Sequence, residues 1–216
     1  MKKLVIFDLD GTLLNTLADL AASTNYALSA VGFTPHPTGA YPMMVGNGIN
    51  KLFERALPEG EKTGENVLRV RKEFLLHYDV HNVDASFPYP GITEMLETLQ
   101  AQGKLLAVAS NKYQRATEKL IAHYFPQIRF TAVLGQREGI AVKPSPAIVY
   151  DILRLAGVSK EETLYVGDSG VDMQTAANAG VSACGVSWGF RPRTELELFS
   201  AATLVDDAAG VLRAIG

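Results

Sequence analysis

Leu4-Val5-Ile6-Phe7 is an unbroken apolar run. A strand with one face in water alternates apolar and polar residues. A run that is apolar throughout predicts a strand buried on both faces, as in a parallel sheet. It ends in a polar turn, Asp8-Leu9-Asp10-Gly11-Thr12. From Thr16 the period changes: Leu17, Leu20, Ala21, Thr24, Leu28 and Val31 recur at helical spacing, and Gly32 stops the helix. Thr16 and Asp19 stand at the spacing of a capping box. Two further helices are expected, over about 47–57, stopped by Pro58, and over about 64–78, with Val67, Val70, Phe74 and Leu75 on one side. No strand is expected from 16 to about 85.

After Pro88 and Pro90 the pattern becomes strand–helix alternation. Helix is predicted over 91–102, then a strand over 104–109 running into Ser110-Asn111-Lys112, then another helix. A short strand over 130–134 and a helix over 144–156 follow. The strand over 163–166 ends at Gly167-Asp168-Ser169, a helix ends before Gly180, and a strand covers 181–186. A last short strand and helix finish near Ile215. Such alternation implies a parallel sheet with helices on both faces. The expected fold class is therefore α/β: a doubly wound parallel-sheet (Rossmann-like) core with an inserted small α-helical cap domain. Residues 1–15 and 86–216 are assigned to the core and 16–85 to the cap.

Composition narrows the function classes. A chain of 216 residues is one large domain or one domain with a small companion. Surface scaling gives roughly 9,700 Å² exposed when folded, enough burial for a core without disulfides or a structural metal. Lys+Arg 20 against Asp+Glu 23 leaves no basic field, so neither nucleic acid nor an anionic membrane is expected as a partner. The single cysteine, Cys184, excludes an intramolecular disulfide and fits a reducing cytoplasm, the expected location. The start, Met1-Lys2-Lys3, precedes too short an apolar run for a secretory leader, and no apolar stretch has the ~18 residues of a membrane span.

In an open parallel sheet, ligands bind beyond the carboxyl ends of the strands. The polar residues collected there are Asp8 and Asp10 after the first strand, Ser110 and Asn111 after the second, and Asp168, Ser169 and Asp172 after a later one. Lys143-Pro144 opens a helix on the same rim. Clustered carboxylates repel one another unless a cation neutralises them, and a hard, oxygen-only donor set suits Mg²⁺. A lysine beside helix N-terminal amides suits a phosphate. Metal-assisted phosphoryl transfer uses both halves. Each piece alone has a bland reading: Ser110-Asn111 as a helix cap, Gly167-Asp168-Ser169 as a turn. Their joint order, each at a strand end, is what the bland readings leave unexplained.

Those same residues carry a resemblance. Phe7-Asp8-Leu9-Asp10-Gly11-Thr12-Leu13, Ser110-Asn111-Lys112, Lys143-Pro144 and Val166-Gly167-Asp168-Ser169 with Asp172 resemble, in order, the four motifs of the haloacid dehalogenase superfamily. In the helical insertion, Val45-Gly46-Asn47-Gly48, Leu52 and Arg55-Ala56-Leu57, and beyond it Trp188-Gly189, resemble bacterial phosphoglycolate phosphatases. Asn15 departs from the family, standing where many relatives carry an acid.

The resemblance implies Asp8 as nucleophile, forming an aspartyl-phosphate, and Asp10 as acid and then base. It implies Mg²⁺ on Asp8, the Asp10 carbonyl and Asp168, with Asp172 orienting Lys143 or a metal-bound water. Ser110, Asn111 and Lys143 would bind the phosphoryl group. The expected partner is a small phosphorylated metabolite, 2-phosphoglycolate first, with the chain a monoester phosphatase acting as a monomer or homodimer. A phosphomutase, a pyrophosphatase-like enzyme or a broad sugar-phosphate phosphatase of the same superfamily is the alternative. Asn47 and Lys51, in and after the cap loop, are expected to set specificity, and Arg191 and Arg193 either reach an anionic substrate or decorate a loop. His36, His77, His81 and His123 have no zinc spacing.

Overall fold

A computed structural model describes residues 1–199 and 203–215. The chain runs β1 (Leu4–Phe7), β2 (Leu14–Asn15), α1 (Leu17–Ala30), a 3-10 helix (Thr38–Met43), α2 (Ile49–Ala56), α3 (Gly64–His81) and β3 (Phe87–Pro88). Then come α4 (Ile92–Ala101), β4 (Leu105–Tyr113), α5 (Gln114–Tyr124), β5 (Phe130–Gln136) and α6 (Ala147–Ala156). It closes with β6 (Thr163–Gly167), α7 (Gly170–Ala179), β7 (Ser182–Val186), α8 (Arg193–Leu198), β8 (Thr203–Val205) and α9 (Ala208–Ile215).

Six strands form one parallel sheet in the order β5-β4-β1-β6-β7-β8. All four residues of β1 are fully buried, because helices cover both faces of the sheet. Val5 and Phe7 point into a cluster with Ile92, Leu96, Leu120 and Val211, while Leu4 and Ile6 meet Ile148, Val149 and Ile152 on the other face. The chain leaves β1 for β4 and β5 on one side and returns to β6 on the other. A reversal of that kind opens a crevice at the carboxyl end of the central strand.

The helices between β2 and β3 pack around an apolar cluster of their own, with Leu28, Tyr41, Phe53, Val70, Phe74 and Tyr78 in it. Their two connections to the sheet are tied together. Leu14 and Asn15 pair antiparallel with Pro88 and Phe87, a small ribbon absent from the sequence reading.

The capping box expected at Thr16 and Asp19 does not form. The Thr16 hydroxyl donates to Asp10 Oδ1 at 2.5 Å, a charged acceptor that outcompetes helix amides. Asn15 Oδ1 takes the Leu17 N–H instead, at 3.2 Å. Asp19 is 3% exposed and binds the returning connection, accepting from the Ala85 and Ser86 N–H groups at 2.9 Å each and from the Ser86 hydroxyl at 2.6 Å. No helix among the described residues is long and apolar enough to cross a membrane.

Candidate active site

β4, β1 and β6 lie side by side, so the turns that follow them share one crevice. β4 runs through Ser110-Asn111-Lys112, and its register against β5 shifts between Ala109 and Tyr113. That irregularity frees these three residues from regular pairing and re-aims them. The helical segment closes the crevice from above with Val45, Ile49, Leu52, Phe74 and Tyr78, around a cavity of about 60 Å³.

The predicted residues meet there. Lys143 Nζ stands 2.8 Å from Asp8 Oδ1 and 2.8 Å from Asp172 Oδ1, and Asp8 Oδ1 also accepts the Leu9 N–H at 2.7 Å. The Lys143 ammonium also donates to the Ala109 carbonyl at 2.9 Å, so its position is fixed from three sides. The Asn111 side chain ties three segments together. Its amide donates to the Lys143 and Gly46 carbonyls at 3.1 Å each, and its oxygen accepts the Lys143 N–H at 2.8 Å. The Ser110 hydroxyl accepts the Lys112 N–H at 3.2 Å, and Ser110 lines the cavity.

Asp168 is held by its surroundings. It accepts from the Thr12 hydroxyl at 3.2 Å and from the Phe190 N–H at 2.7 Å. A Cβ at Gly189 would lie 2.2 Å from that of Asp168, and one at Gly11, where φ is +86°, would lie 2.3 Å from Asp168 Oδ2. Both positions therefore require glycine. Asp172 has both oxygens engaged. Oδ1 takes Lys143 and the Tyr165 hydroxyl, while Oδ2 takes the Ser169 N–H and hydroxyl within a capping box that starts α7.

Asp8, Asp168 and Asp172 each place one oxygen within 4.8 Å of the others, all three residues buried. Burial first, then Asp172, pushes Asp8 up to about 7 against the pull of Lys143. Burial, Asp172 and Asp8 likewise push Asp168 well above the usual carboxylate range. Burial works to lower Lys143, but Asp172 and Asp8 outweigh it and hold the ammonium charged. One lysine thus faces three buried carboxylates, and the excess negative charge with an all-oxygen donor set fits a hard dication. Because Asp172 is saturated, the carboxylates left to hold such an ion are Asp8 and Asp168.

Two side chains in this region were not singled out from sequence. Lys112, quoted only as the end of a motif, is buried with its ammonium 3.0 Å from Asp10 Oδ2 and 4.8 Å from the centre of the Tyr78 ring. Tyr78 lines the crevice, and its buried hydroxyl has no hydrogen-bond partner among the described residues. Trp188 Nε1 donates to the Thr12 carbonyl at 3.1 Å, bracing the first turn. Lys112 was visible as a charge at a strand end. Tyr78 entered only as the last residue of a predicted helix.

The remaining candidates lie off the cavity or on its rim. Lys51 points outward into an ion pair with Glu54, and Asn47 accepts from Arg55 at 2.6 Å, so neither lines the cavity. Arg193 pairs with Asp206 and Glu197 at the surface. Arg191 lines the crevice, and its guanidinium reaches across to the Pro42 and Val45 carbonyls at 2.8 and 2.7 Å, fastening the loop before α2.

Comparison with known proteins agrees with this geometry. The profile of the haloacid dehalogenase-like hydrolases matches residues 5–186. A phosphoglycolate phosphatase of Mannheimia succiniciproducens is 35% identical over 194 residues, 87% of each chain. One from Mesorhizobium japonicum is 33% identical and covers 100% of this chain and 99% of its own. The crystal structure of a predicted phosphoglycolate phosphatase from Haemophilus somnus superposes with a TM-score of 0.90 at 30% identity, covering 100% of this chain and 98% of that one.

Proposed function

The chain belongs to the haloacid dehalogenase-like hydrolases, and on that premise we propose that it is a Mg²⁺-dependent phosphatase of a small phosphate monoester, 2-phosphoglycolate first. The observation that carries this reading is Lys143 fixed between Asp8 and Asp172 at the mouth of β1, beside Asp168. The similar proteins named for phosphoglycolate support the choice of substrate.

Asp8 is the nucleophile of this scheme. One of its oxygens is anchored by Lys143 and the Leu9 N–H, which sets the carboxylate for attack on phosphorus and formation of an aspartyl-phosphate. Asp10 gives a proton to the leaving oxygen and later takes one from water. Thr16 and Lys112 hold its two oxygens, so the side chain is aimed before substrate arrives. Ser110 and the Asn111 backbone N–H bind phosphoryl oxygens, and Lys143 offsets the charge that builds there. Asp8, Asp168 and the Asp10 carbonyl would hold Mg²⁺, which when bound supplies charge neutralisation at the phosphoryl group. The helical segment between β2 and β3 acts as the cap and excludes water.

The test is a phosphate-release screen over about a hundred phosphorylated metabolites, run with Mg²⁺ and with EDTA. Release of phosphate from 2-phosphoglycolate at the head of the ranking, only with metal, is expected. A hexose phosphate converted to its isomer without release of phosphate, its phosphoryl group returned to sugar, would make the protein a mutase.

A further inference from the structure

We infer that Lys112 reads the leaving group: its ammonium binds a carboxylate attached one carbon from the bridging oxygen, which makes phosphorylated α-hydroxy acids the substrate class. This inference rests on the reading of the protein as a monoester phosphatase and narrows it.

A carboxylate on the leaving group carries a second negative charge into a closed crevice. Left unpaired there, it would lose its hydration without compensation. The helical segment offers no such partner. Its lining residues include Val45, Ile49, Leu52 and Phe74, and none of them is charged. The partner must therefore come from the sheet side.

Three cations stand on that side. Lys143 is 2% exposed and engaged by Asp8, Asp172 and the Ala109 carbonyl. Arg191 is turned to the Pro42 and Val45 carbonyls. Lys112 lines the crevice and meets a single acceptor among the described residues, Asp10 Oδ2 at 3.0 Å. An ammonium has three donors, so two remain for a ligand. Its side chain, 3% exposed, rests over the Tyr78 ring, which keeps the charge in the crevice and out of solvent.

Position selects the ligand. Asp10 is the group that protonates the bridging oxygen, and the Lys112 ammonium already lies against Asp10. A carboxylate one carbon from that oxygen is the nearest acid such a leaving group can offer the ammonium. An acid one carbon further out stands farther from Asp10, and the helical side of the crevice holds no charge to meet it. A neutral alcohol leaves the two donors unanswered, and sites built to bond a polar group discriminate strongly against ligands lacking it.

The experiment compares kcat/KM of the full chain with Mg²⁺ on three esters: 2-phosphoglycolate, 3-phosphopropionate and ethyl phosphate. The wild type should rank them in that order. In Lys112→Met every rate falls, because Asp10 loses its neighbour, but the preference for 2-phosphoglycolate over ethyl phosphate should collapse by about 10- to 100-fold, the scale of one charge-assisted bond. Lys112→Arg should keep part of that preference. If Lys112→Met lowers all three rates equally, Lys112 serves Asp10 alone, and the inference fails while the substrate reading stands. If the wild type does not prefer 2-phosphoglycolate to ethyl phosphate, the inference and the substrate reading fall together. Should Lys112→Met show no cooperative melt, Lys112→Arg decides, since an unaltered preference among the esters after the charge is displaced overturns the assignment.

Discussion

Lys143 and Asp172 meet at 2.8 Å with side chains 2% and 0% exposed, and the same ammonium reaches Asp8 at 2.8 Å on its other side. Asp172 touches neither phosphate nor metal in the proposed scheme. It acts by fixing where the lysine points. Asp172→Asn keeps the shape and removes the charge, so kcat should fall by about 10–100-fold, the range seen when a group supporting a ligand is lost. The melting temperature should also drop, since α7 loses part of its cap. Unchanged kcat would show that Lys143 needs no such support.

In the proposed scheme, metal dependence couples to pH through Asp8. Its folded pKa, pushed up to about 7, stands above the ordinary ~3.9 of the unfolded chain. In metal-free protein its contribution to stability is full below the unfolded value and is lost as pH rises through about 7. Mg²⁺ bound there would oppose that loss by favouring the carboxylate. The Mg²⁺-induced rise in melting temperature should be larger at pH 8 than at pH 5, with EDTA as reference. Equal shifts at both values would place the ion elsewhere. Asp168→Asn, which removes a direct charged ligand, should weaken Mg²⁺ binding by more than the ~10–100-fold typical of losing a group behind a ligand.

Asp8 and Asp10 separate by trapping. Asp8→Asn should abolish activity and never gain mass after rapid quench. On the proposed roles, Asp10→Asn retains the nucleophile but loses the acid–base group, worth ~10²–10⁴-fold. With an aryl phosphate, whose leaving group needs little protonation, it should accumulate one alkali-labile phosphoryl per chain. Label on any residue other than Asp8 would overturn the assignment.

Arg191 fastens the loop before α2 through two carbonyls. Arg191→Met should raise KM about tenfold by letting that loop drift, while leaving Mg²⁺ affinity unchanged. Asn47→Ala and Lys51→Ala, outside the cavity, should stay within about twofold of wild type. Kinetics on 2-phosphoglycolate and limited proteolysis of residues 42–48 would show both.

Cys184 is fully buried, and burial pushes its thiol up to about 12. It should not react with a disulfide reagent at pH 8 in the native protein and should titrate as one thiol in denaturant.

What was legible in the sequence was local. The apolar run of β1, and the polar residues that end β1, β4 and β6, declare themselves within a few positions. Asp8, Asp10, Ser110, Asn111 and Asp168 could be collected because a parallel sheet brings strand ends together whatever the loops do. The illegible part depended on partners far apart in the chain. Asp19 stood three residues beyond Thr16 and looked like a helix cap, until the returning connection at Ala85 and Ser86 offered three donors. Asn47 and Lys51 sat in the right segment but on its outer side. The contact of Lys112 with Tyr78 joins a strand end to a helix whose relative placement no periodicity reports.

The strand order also dictates when the protein can begin to work. Leu4 pairs with Leu105 on one side and Thr163 on the other. A growing chain would therefore hold Asp8, the proposed nucleophile, well before the rest of the site, which stays incomplete until β6 and the turn after it have emerged. For most of synthesis β1 is an apolar strand with at least one open edge, the kind of surface that chaperones shield and aggregates recruit. The helices between β2 and β3 have their own apolar cluster and emerge long before that edge closes. Truncation before β6 would thus cost solubility as well as activity, because it would leave β1 without its neighbour on that side.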